Sequence, residues 1–147
     1  MRAGWGLLLL LLAPALHALD VTVGSSFTIK NITREGGKVV LPVERQKYYN
    51  VRILAPAAFD FVQTCTEPCV QPLSEVVPSV QEVRPAQTRA NMWLVSVVFN
   101  RAWLITCLVF KRGETYAVEF PADFVFLDKK LEEKTRTLVV QRVQEAG

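Results

Sequence analysis

The sequence predicts an all-β protein: a single antiparallel β-sandwich of immunoglobulin-like architecture, or a small barrel, preceded by a helical signal peptide. Three observations predict it. The body of the chain divides into about eight to ten short segments with strand composition, separated by Gly and Pro turns. No long stretch after the first 20 residues shows apolar residues at the helical period. The chain also opens with a charged residue, an apolar run and small residues, in the order MRAGWGLLLLLLAPALHALD.

In that opening, Arg2 is the positive flank, Trp5 to Leu16 is the apolar run, and Ala13, Ala15 and Ala18 are the small residues. A helix that spans a bilayer needs about 20 apolar residues, and this run offers about 12. Cleavage after Ala18 is expected, with Ala15 as the alternative, which leaves residues 19–147 as one domain large enough for a packed core. The expected location is secreted or periplasmic. No cysteine follows the run to carry a lipoprotein anchor.

The only histidine, His17, falls in the segment to be removed. Ser-His-Asp and Cys-His catalysis need an imidazole base near neutral pH, and zinc and haem sites lean on histidine as well. No catalytic residue, metal site or cofactor is therefore expected, and an enzyme is not. The 17 basic and 14 acidic residues give a net charge of +3. They are interspersed rather than clustered, which speaks for a solvated mixed surface and against nucleic acid as a partner.

The elements follow in order. Val21–Val23 and Phe27–Ile29 alternate apolar and polar residues, the pattern of half-buried strands. The turn Arg34–Lys38 contains Gly36 and Gly37. Lys38–Glu44 reads as a strand with Pro42 marking an edge or bulge. Tyr48–Leu54 puts Tyr49, Val51 and Ile53 on one face. Phe59–Gln63 reads as another short strand. A Pro-rich connection at about 68–90 then carries Pro68, Pro72, Pro78, Arg84 and Pro85, and is the candidate binding loop.

Met92–Phe110 holds only Asn100 and Arg101 as strongly polar residues. A central arginine costs about 2.5–3.5 kcal/mol in a membrane helix, while Val, Ile, Thr, Phe and Trp suit strands. Two strands with a turn at Asn100-Arg101 are expected, and membrane insertion through Met92–Phe110 is an alternative. Thr115–Phe120 completes a three-strand meander. Its first two strands are apolar on both faces: Trp93, Val95, Val97 and Phe99 on one, Met92, Leu94 and Val98 on the other. Phe124–Phe126 and Thr137–Val143 are the last expected strands, joined by the charged Asp128–Lys134. The order Cys65, Trp93, Cys107 does not reproduce the immunoglobulin arrangement, because Trp93 falls late between the cysteines and Ile105 stands where the second cysteine's tyrosine belongs.

Export places the three cysteines where disulfides persist. Cys65 and Cys69 flank Thr66, Glu67 and Pro68, and a turn there brings them within reach of each other, with a bridge from either of them to Cys107 as the alternative. Cys107 lies in an apolar strand and is the expected buried free thiol. Asn31-Ile32-Thr33 fits a glycosylation sequon. The functional expectation is an exported, non-enzymatic module that binds a protein partner in the envelope or extracellular space. The alternative is an exported thiol–disulfide protein acting through Cys65 and Cys69.

Overall fold

The computed structural model describes residues 17–35, 37–42 and 50–146. The apolar run of the expected leader, with Tyr48 and Tyr49, lies outside them. The chain is mostly β, in two sheets that share one core. The first sheet comprises β1 (His17–Val23), β2 (Phe27–Glu35), β3 (Lys38–Val40), β5 (Cys69–Gln71) and β10 (Phe124–Phe126). Its order is β10-β2-β1-β5, with β3 on the far half of β2. The second comprises β4 (Val51–Ile53), β6 (Pro78–Pro85), β7 (Met92–Phe99), β8 (Trp103–Arg112) and β9 (Thr115–Glu119), in the order β4-β8-β7-β6 with β9 also on β8. Among the described residues no ladder joins the two sheets, so the architecture is two layers rather than a closed barrel. All described pairings are antiparallel except β1 with β5.

Alternation explains the layers. Register aligns Val95 with Cys107, Val97 with Ile105 and Phe99 with Trp103, so these six side chains share the inner face. All six are buried. Phe27 of β2 closes the gap between sheets, with its ring 5.1 Å from Phe99 and 6.4 Å from Trp103. Such pairs contribute about 0.5–1.5 kcal/mol beyond their area. On the opposite face Met92, Val98, Leu104 and Leu108 are buried too, but they stand outside this shared core.

The meander matches the expected strands because both long strands are apolar and Asn100, which tolerates positive φ, seats the turn between them. Asn100 and Arg101 both adopt positive φ, 51° and 58°, the conformation that a two-residue hairpin turn requires. Asn100 holds the turn by donating Nδ2 to Glu75 O at 2.7 Å and accepting the Val77 N–H at 2.6 Å. The apolar stretch Met92–Phe110 is thus a hairpin rather than a helix. No helix among the described residues is long and apolar enough to cross a membrane.

Two segments expected as strands are helical. Phe59–Gln63 belongs to α1 (Pro56–Thr64). Pro56 begins it, where a missing N–H costs nothing and φ is already helical. Ala58 and Val62, four residues apart, are its buried side chains. Thr137–Val143 and the charged segment before it form one helix, α2 (Lys129–Ala146). Asp128 Oδ1 accepts the Lys130 N–H at 2.9 Å at its start. Its buried stripe is Leu131, Thr135, Val139 and Val143, at a constant spacing of four. Thr135 hides that period in the sequence. Its hydroxyl is satisfied within the helix by Leu131 O at 2.7 Å, so it sits in the apolar stripe. Arg136 fastens α2 to β9 by donating to Val118 O at 2.9 Å, and it lies over the Phe120 ring at 4.8 Å.

Candidate functional site

The expected binding-loop residues do not form one loop. Pro78, Arg84 and Pro85 belong to β6, an edge strand, and Pro72 follows β5. Pro68 lies between the two cysteines, where the Glu67–Pro68 peptide is cis. The connection proper shrinks to Pro72–Val77. β7 pairs along β6 over nearly its whole length, and that pairing turns a proline-spaced stretch into a strand. Prolines are tolerated there because an edge strand has one ladder to maintain.

Cys65 and Cys69 stand at disulfide distance, with sulfurs 2.09 Å and Cα atoms 5.5 Å apart. The bond joins the end of α1 to the first residue of β5. α1 stops at Thr64 because Cys65 turns extended, with φ −64° and ψ 151°, while its N–H still reaches Phe61 O at 2.8 Å. Arg34 of β2 supplies the cap. Its Nη1 donates to Cys65 O at 2.8 Å and to Gln63 O at 3.2 Å, with Val62 O at 3.4 Å. A cation at the carbonyl end of a helix is favoured by the dipole and by the unpaired acceptors there. Gln63 Nε2 donates to Gly37 O at 2.7 Å and ties the same helix end to the β2–β3 turn.

β5 lies parallel to β1, with Cys69 opposite Val21 and Gln71 opposite Val23. Gly24 N–H donates to Gln71 O at 2.8 Å. That bond shows that the Gln71 backbone faces β1, and by alternation so does that of Cys69. The N–H and C=O of Val70 therefore point to the outer edge, which no strand pairs among the described residues. Val70 is 49% exposed, while Cys69 beside it is 2% exposed. Over the β1–β5 seam lies a cleft of about 320 Å³. Ala18, Asp20, Thr22, Glu67, Pro68 and Val70 are among the residues that line it. Asp20 is oriented by accepting the Asn31 N–H at 3.2 Å. Asn31 itself sits at the bulge of β2 with φ 62° and donates Nδ2 to Asp123 at 2.7 Å.

The edge strand β6 of the second sheet is blunted. It begins and ends in proline, its register shifts between Val80 and Glu82, and Glu82 pairs with Arg84 at 3.4 Å. Prolines, a bulge and edge charges all discourage an added strand.

Cys107 is free and fully buried on β8. Desolvation pushes its thiol far above the ordinary range, with Arg136 opposing weakly. It is no nucleophile at neutral pH. Among the described residues no group of three or more His, Cys, Asp or Glu side chains is placed to hold a metal ion. The β5 edge, its parallel partner and the Arg34 cap were not visible in the sequence, because each depends on residues distant along the chain. The one legible signal was the short cysteine pair.

Comparison with protein-family models, with curated proteins and with solved structures finds no match to the chain.

Proposed function

We propose that the chain is an exported, non-enzymatic module of the β-sandwich class that binds an extended segment of a protein partner along β5. The single observation that carries this reading is Val70. Its backbone N–H and C=O face an open strand edge beside a cleft about 320 Å³ in volume. A peptide added there gains main-chain hydrogen bonds from the strand and side-chain room from the cleft. The leader-like opening supports export, and the envelope or extracellular space is then where the partner is met.

A thiol-active protein is the second reading, favoured by Arg34 Nη1 lying 3.9 Å from Cys65 Sγ. Two features weigh against it. Cys65 follows the carbonyl end of α1, whereas reactive dithiols use the N–H groups at a helix start. Cys69 is buried.

The test is selection from a displayed random peptide library on the oxidised protein, followed by affinity measurement with Val70→Pro and Val70→Thr. Proline removes the outward donor and leaves the β1 ladder its bonds through Cys69 and Gln71. Binding is expected to weaken tenfold or more in Val70→Pro and to persist in Val70→Thr. A library that yields no binder, or equal affinity for Val70→Pro, rejects the site.

A further inference from the structure

We infer that formation of the Cys65–Cys69 bond is the step that assembles the β5 edge and its cleft, so that the docking site is present in the oxidised chain and absent from the reduced one. The inference rests on the reading of β5 as the docking edge and concerns the regulation of that edge.

Four observations carry it. β5 is only three residues long and, among the described residues, pairs on one side, which is too little ladder to hold itself in place. Its first residue is one end of the disulfide. The other end, Cys65, is fixed from two directions, by its own N–H to Phe61 O and by Arg34 on its carbonyl. The bond thus transmits the position of α1 and β2 to β5. Finally, Glu67, Pro68, Cys69 and Val70, half the residues that line the cleft, lie within or next to the loop that the bond closes.

The rest of the fold does not depend on the bond. The contacts that join the sheets include Phe27, Phe99, Phe124 and Trp103, none of them in the loop that the bond closes, and α2 is fastened separately through Arg136. The downstream end of β5 keeps its own pin, Gly24 N–H to Gln71 O. Loss of the bond therefore loosens the Pro68–Val70 side of the cleft and leaves the aromatic centre of the core closed.

The chemistry is ordinary thiol–disulfide exchange. The Cys65 and Cys69 thiols give up two electrons and two protons to a small disulfide such as oxidised glutathione. That oxidant leaves as two thiols, and one sulfur–sulfur bond forms in the chain. An exported chain meets such oxidants on arrival, so the cleft is assembled outside the reducing cytosol.

Hydrogen exchange read by mass spectrometry tests this without any ligand. The oxidised chain is compared with the chain held in dithiothreitol and with Cys65→Ser/Cys69→Ser. The β1-facing amides of Cys69 and Gln71 are expected to exchange at least tenfold faster in both reduced forms, while Met92–Arg112 stays protected. Unchanged exchange at Cys69 and Gln71 overturns the inference. So does loss of protection throughout, because the bond would then hold the whole fold. Since no peptide is used, this outcome is independent of the Val70→Pro result: the edge can open on reduction whether or not it is the docking site. Peptides selected on the oxidised chain should also bind the reduced chain at least tenfold more weakly, and equal affinity counts against the switch.

Discussion

The guanidinium of Arg34 and the carbonyl of Cys65 meet at 2.8 Å, and through this contact a residue of β2 sets the end of α1 and one anchor of the disulfide. The same nitrogen also reaches Gln63 O. Hydrogen bonds that involve a charged group contribute about 1.5–3 kcal/mol. Arg34→Ala is expected to lower stability by about that amount in urea titration. Arg34→Lys should recover only part of it, because a point charge replaces the planar donor set. A change under about 0.5 kcal/mol in Arg34→Ala would show that water caps the helix equally well.

Gly24 and Gly113 both adopt positive φ, 54° and 62°, but their surroundings differ. A Cβ on Gly113 meets nothing within 4 Å, whereas one on Gly24 would lie 2.5 Å from Leu73 O. Gly113→Ala should lose about 1–2 kcal/mol from the backbone conformation alone. Gly24→Ala should lose distinctly more, and its exchange protection at Gln71–Leu73 should fall. Equal losses at the two sites would mean that the chain after β5 yields freely at this point.

Cys107 links stability to alkaline pH. Burial raises its pKa in the folded state, so the folded protein holds the thiol proton after the unfolded chain has released it. Below the ordinary thiol value of about 8.5 both states are protonated, and this group contributes no pH dependence. Above it the unfolded state binds fewer protons, and stability falls by up to about 1.4 kcal/mol per pH unit. Urea midpoints measured from pH 8 to 10.5 should decline in the wild type, and the decline should be shallower in Cys107→Ala. Parallel slopes would assign it to other groups.

The register of β1 bears on where the leader is cut. His17 pairs with Arg34 and Ala18 with Thr33. Cleavage after Ala18 would remove both pairs, including the strand neighbour of the Arg34 cap, while cleavage after Ala15 keeps them. If the leader is removed, a chain that begins at Leu16 keeps both pairs and the histidine, whereas the expected cut after Ala18 loses them, and mass spectrometry of the intact chain distinguishes the two. A protein that begins at Leu19 would show that the ladder from Leu19 onward suffices.

Much of the strand framework was legible. The meander of β7, β8 and β9 follows from β-branched and aromatic runs that are apolar on both faces and from a turn at Asn100-Arg101, where Asn100 tolerates the positive φ required. Short segments were not. Over five residues, as in Phe59–Gln63, helical and strand periods place apolar groups almost alike. In α2 a threonine stood where the stripe needed an apolar residue. Of the candidate site, the spacing of Cys65 and Cys69 could be read, but nothing near Val70 announced that its backbone would face an open edge.

By itself the sequence determined what depends on neighbours a few residues apart: alternation that makes strands, turns that tolerate positive φ, a leader-like opening and a cysteine pair close enough to join. The tertiary structure decided what depends on distant partners. Parallel pairing of β5 with β1, the hold of Arg34 on α1, the proline-bounded edge of β6 and the burial of the α2 stripe all arise from contacts between segments tens of residues apart. Their stabilisation comes from packing and hydrogen bonds that exist only once the two sheets have met, and local propensity does not encode them.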